Sequence, residues 1–74
     1  MPVNAFFDDG RVVEFGAADA AVDEQRGWVQ VLRVNPRTGD REPLERLHMT
    51  DVVIGQIYEH DVLREVIVVG RAVA

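Results

Sequence analysis

Cysteine, lysine and serine are absent from the 74 residues. Without cysteine there is no disulfide and no thiolate zinc site. A chain of this length buries only about 60% of the surface that its unfolded form exposes. Its support must therefore come from tight packing or from a partner subunit. The lack of cysteine also fits a reducing compartment. With no serine or cysteine, the side-chain hydroxyls reduce to Thr38, Thr50 and Tyr58, and no glycine loop has the spacing that cradles phosphates. No catalytic residue is assigned, and the chain is not expected to be an enzyme. Long apolar runs are missing too. None approaches the roughly 18 residues of a membrane span, and positions 1–10 lack the basic start and apolar stretch of a signal peptide. The expectation is a cytoplasmic chain with no membrane association.

What is present is ordinary globular composition, 47% hydrophobic and 28% charged, which argues against disorder and suits one small domain over residues 1–74. All eight basic residues are arginine; with abundant Ala, Val, Gly and Asp this is the composition of a GC-rich genome, such as that of a high-GC bacterium or its phage. The net charge of −5 argues against a general nucleic-acid binder, but it is unevenly spread. Residues 1–25 carry six acids and one arginine. Residues 26–46 carry Arg26, Arg33, Arg37, Arg41 and Arg46 against three acids.

Local signals predict a mainly β fold, a small antiparallel barrel or sheet built from hairpins with one short helix. Segments 3–8 and 11–15 flank Asp9-Gly10, which suits a two-residue type I′ turn. Residues 16–27 read as the helix: Ala18, Ala21, Val22 and Gln25 recur at helical spacing, Asp19 favours the start, and Gly27 can close the end. Residues 28–35 read as a strand, followed by a turn over Asn35-Pro36-Arg37-Thr38-Gly39-Asp40 and a returning strand at 41–49. Pro43 cannot donate to a ladder and marks an edge or a strand start. Residues 50–60 are ambiguous. Val52, Val53, Ile54 and Ile57 are β-branched and favour strand, while Thr50-Asp51 could cap a helix, giving an α+β alternative with a second helix at about 51–60. The continuous run Val66-Ile67-Val68-Val69 suits a strand buried on both faces.

Candidate chemistry is sparse. His48 and His60 are the only histidines, and Glu59 and Asp61 flank His60, but neighbours on a strand or helix do not share a face. That triplet is expected to be a solvated turn, and no metal or cofactor is assigned. The arginines are more informative. Arg33, Arg37, Arg41 and Arg46 fall on one predicted hairpin and could clasp an anion bidentately, with Trp28 or Tyr58 stacking on a base. The alternative for the same residues is a solvated hairpin of Arg–Glu pairs using Glu42 and Glu45, with Trp28 as a core anchor. The sequence thus favours a non-catalytic interaction module that acts as a homo-oligomer, a dimer first of all, and contacts a protein partner, with residues 62–73 at or beside the subunit interface. The runner-up is a binder of a small anionic ligand such as a nucleotide; nucleic acid ranks last.

Overall fold

A computed structural model describes residues 2–23 and 25–73. Six strands follow in chain order: β1 (Val3–Phe7), β2 (Val12–Phe15), β3 (Ala18–Asp23), β4 (Trp28–Val34), β5 (Arg41–Glu59) and β6 (Val62–Ala72). They form one sheet in the order β2-β1-β6-β5-β4-β3. The sheet curls into a half-barrel, so that β1 comes into contact with β3 across the opening. The mainly β architecture agrees with the sequence. All pairings are antiparallel except one: β1 lies parallel to β6, with Val3 beside Val66 and Phe7 beside Gly70.

No helix forms among the described residues, which corrects the expectation at 16–27 and the alternative at about 51–60. Segment 16–27 instead supplies β3, paired along its whole length with β4 from Ala18↔Arg33 to Asp23↔Trp28. The physical reason is tertiary. Ala18 and Ala20 also alternate with period two, and their small side chains allow β3 to approach the core closely. Ala18 is buried and Ala20 packs on the core. A single helix of about three turns, with no other helix to pack on, has no comparable partner. Position 24 of the expected helix lies outside the described residues. Segment 51–60 continues β5, as its β-branched content favours.

The turns follow local chemistry with one change. The hairpin β1–β2 uses a three-residue loop, Asp8, Asp9 and Gly10. The Gly10 N–H donates to the Phe7 carbonyl (3.1 Å) and the Phe7 N–H to the Arg11 carbonyl (2.9 Å). Only Gly10 takes a positive φ, 91°. This is a turn closed by a left-handed glycine and not the expected type I′ pair, which needs positive φ at both positions. The type I′ conformation appears instead at His60 (φ 51°) and Asp61 (φ 61°), which join β5 to β6. The turn at 35–40 forms as read. Asn35 Oδ1 accepts the Arg37 N–H, Thr38 Oγ1 accepts the Asp40 N–H, and Gly39 takes φ 76°. Pro43 stands at a register shift between β4 and β5, where β5 has no neighbour on its other side.

The core lies on the concave side. Val3, Ala5 and Phe7 of β1, Ala18 of β3, Val29 and Val31 of β4, Leu47 and Met49 of β5, and Val66 and Val68 of β6 are buried. In β6 only alternate residues are inside, because Ile67 is half-buried and Val69 is exposed. The run 66–69 is therefore covered on one face, and the expectation of two buried faces is corrected. A half-barrel of six strands has no second layer for its outer side.

Candidate functional site

The predicted arginine cluster does not assemble. Strand alternation puts Arg33 on the same face as Ala18 and Val31, the concave side, and its guanidinium pairs with Glu42 at 3.4 Å. Arg46 and Arg41 lie on the convex side. Arg41 reaches across β4 to Asp19 at 3.2 Å, and Arg37 sits in the exposed turn. Cross-strand pairing with carboxylates thus accounts for two of the four. It also joins the acidic first third of the chain to the basic middle within one molecule. Tyr58 lies at the far end of β5, donating its hydroxyl to Gln56 Oε1 at 3.1 Å, well away from the arginines.

Two of the expected residues do meet. The guanidinium of Arg46 lies 4.1 Å from the ring centroid of Trp28. Arg26 approaches the same ring at 5.5 Å and pairs with Asp23 at 3.7 Å. His48, directly across from Trp28 in the ladder, makes an edge contact at 6.4 Å. Trp28 therefore works as the anchor of a polar convex patch and not in the core. Arg26 and His48 are the members the sequence reading missed. For His48 the pairing of residue 28 with residue 48 was the only signal, and it depends on the register shift at Pro43. Among the described residues no polar or charged side chain is buried, and no three His, Asp or Glu side chains converge as metal ligands. The turn Glu59-His60-Asp61 is solvated, as read.

The other half of the convex side is apolar, and it is the more distinctive surface. The registers align Val12 of β2 with Phe6 of β1, Phe6 with Val69 of β6, and Val69 with Val53 of β5. These four neighbours form a row across four strands, with relative exposures of 49, 39, 48 and 67%. Neighbouring strands are about 4.8 Å apart, so the row is about 14 Å wide. The adjacent row runs Glu14, Asn4, Ile67, Gly55, and the Asn4 amide donates to Glu65. Carboxylates of Glu14 and Glu65 thus border the apolar centre. Beyond Val66, β5 and β6 continue as a two-stranded ribbon past the end of β1, carrying exposed Ile57, Tyr58 and Val62.

No helix is long and apolar enough to cross a membrane among the described residues. Comparison with protein-family models, with curated proteins and with solved structures finds no match to this chain.

Proposed function

We propose that this chain is a non-catalytic interaction module that acts as a homo-oligomer and contacts a protein partner. One observation carries the reading: the row Val12–Phe6–Val69–Val53 lies on a sheet face that no other described residue covers. Scattered surface apolar residues need no explanation, whereas a contiguous row rimmed by polar groups marks an interaction site. Val69 is one of the two middle members of the row, which supports residues 62–73 lying at or beside the contact. A standard interface takes about 800 Å² from each partner, about 15% of the 5192 Å² surface. The row together with the apolar ribbon holds seven of the twelve exposed large apolar side chains among the described residues. Light scattering at tens of micromolar tests the reading. A mass of two or more chains is expected, and a mass of one chain overturns the oligomer.

A second reading, capture of a small anion, draws on the convex patch of Trp28, Arg46, Arg26 and His48. It has less support, because Arg46 already covers the Trp28 ring, and Arg33 and Arg41 are engaged by Glu42 and Asp19. Ligand at 100 times its Kd would stabilise the fold by about 2.7 kcal/mol. Thermal-shift measurements with nucleotides are expected to show no change, and a clear upward shift would favour this reading over the first.

A further inference from the structure

The edge of β5 bears on which contact builds the oligomer. Pairing with β4 ends at His48, and the last bond on that side is the Met49 N–H to the Gly27 carbonyl at 3.2 Å. From residue 52 onward β5 is bonded to β6 only. Among the described residues nothing pairs with its other edge, which presents a row of backbone donors and acceptors. Native edges are normally protected by charge, proline or a bulge within the strand. Here residues 52–58, Val-Val-Ile-Gly-Gln-Ile-Tyr, hold no charge and no proline. The only breaks stand at the two ends, where Asp51 sits in a register shift with φ 51° and the His60-Asp61 turn closes the ribbon.

We infer that this edge pairs, antiparallel, with the same edge of a second copy about a two-fold axis through Gln56. The inference rests on the homo-oligomer reading above and names its geometry. A two-fold axis normal to an antiparallel ladder must set some residue opposite itself, which leaves few registers. Centring on Ile54 would drive the partner strand into Gly27 and β4. Centring on Gly55 would set Asp51 opposite Glu59, like charges in direct cross-strand positions. Centring on Gln56 uses the whole open edge, and its one like-charge pair, Asp51 with Asp61, falls past the end of the strand in the turn and not in the ladder.

The side chains then match. Cross-strand neighbours share a face. Gln56 pairs with buried Val66, and Ile54 with Val68, so both lie on the concave side, and Tyr58 joins them through its bond to Gln56. In the dimer Ile54 meets the second copy's Tyr58 twice over, an aromatic and β-branched pair of the kind that stabilises sheets, with the two Gln56 amides between them. On the convex side Ile57 lies over Gly55, which offers no side chain to clash. The far end has room as well. The partner's His60 turn arrives beside a cleft of about 300 Å³ lined by Val22, Asp23, Gly27, Met49, Thr50, Asp51 and Val52. Two six-stranded sheets become one, and the two convex apolar rows face the same way, side by side, for a protein partner.

The chain has no cysteine, so single introduced thiols report the register. Across an antiparallel pair, facing Cα atoms lie about 4.5–5.5 Å apart, within disulfide reach. Under mild oxidation Gln56→Cys should cross-link at least tenfold faster than Val69→Cys or Arg37→Cys. Val69→Cys is the reporter for two convex faces stacked on one another. Gln56→Arg, which sets two guanidinium groups against each other at the axis, should weaken the dimer at least tenfold while leaving its circular dichroism unchanged. A dimeric mass with Gln56→Cys no faster than Val69→Cys overturns the edge pairing and leaves the oligomer standing. A single-chain mass for the unaltered protein overturns both.

Discussion

Among the six glycines, Gly70 has the least room for a side chain. A Cβ added there would stand 3.1 Å from Met49 Sδ and from the Thr50 carbonyl, and 3.2 Å from Met49 Cβ. The backbone oxygen cannot move without disturbing the β5–β6 register, so Gly70→Ala should cost about 1–3 kcal/mol, the range for overpacking a filled site. Gly16 is the contrast: it has open space and no positive φ. Gly16→Ala should be neutral or stabilise by up to about 1 kcal/mol by restricting the unfolded chain. Urea midpoints of the two variants measured together test the pair. Met49 itself is almost fully buried. Met49→Ala should cost about 2–5 kcal/mol, enough to abolish a cooperative transition in a domain of this size. Individual side chains were partly legible beforehand. The solvated Glu59-His60-Asp61 turn follows from chain-neighbour geometry alone. Trp28 was read as a core anchor or a stacking platform, and its actual place under Arg46 depends on a partner strand 20 residues away.

At the scale of the element, the β5–β6 hairpin is held by a turn in an unfavourable composition. His60 and Asp61 both adopt the left-handed region, where a residue with a Cβ loses about 1–2 kcal/mol. Asn-Gly is the preferred pair for this turn. The double variant His60→Asn, Asp61→Gly should therefore stabilise the protein by about 1 kcal/mol. That corresponds to a rise of about 4–8 °C in Tm for a domain of this size, visible in a thermal melt. No change in Tm would mean that the ribbon tip unfolds before the core and does not contribute to global stability. The helix expected at 16–27 shows why elements this short are hard to read. Ala18, Ala21, Val22 and Gln25 fit a helical stripe, and Ala18, Ala20 and Val22 fit a strand equally well. Alanine's high helix propensity tips a local reading one way, while six ladder pairs with β4 tip the chain the other.

For the whole molecule, the prediction concerns the bare convex side. Val69→Glu places a carboxylate at the centre of the Val12–Phe6–Val69–Val53 row without touching the core, because Val69 is half exposed. Surface changes of this kind stay within about 0.5 kcal/mol, so the variant should fold with an unchanged melting curve. With the unaltered chain as the comparison, a protein partner bound through the row should lose affinity by a factor of ten or more. Retained affinity would move the contact to another surface. Val73→Glu gives an independent reading of the oligomer: a folded monomer would put the end of the chain inside the subunit contact. The edge pairing through Gln56 expects the dimer to survive this change, because β1 and β6 lie behind the paired strands. The two substitutions together separate partner docking from self-association.

Composition and turn chemistry were enough to indicate a β-rich chain without disulfides, punctuated at Asp9-Gly10 and at residues 35–40. These signals are local: glycine at positions of positive φ, asparagine and proline opening a turn, β-branched runs between them, and no cysteine anywhere. The sequence also exposed the abundance of arginine and the apolar character of 52–58 and 66–69. Tertiary structure alone decided what each of these does. Strand pairing turned the alanine segment into β3. The register shifts at Pro43 and at Asp51 determined which residues of β5 face inward. Alternation then sent Arg33 and Arg46 to opposite sides of one sheet and dissolved the cluster that their sequence proximity suggested. The curl of six strands around one core covered Val66 and Val68 and left Val69 bare. A side chain's face depends on the count of residues between bulges, and that count is settled by the partner strand, which lies elsewhere in the chain.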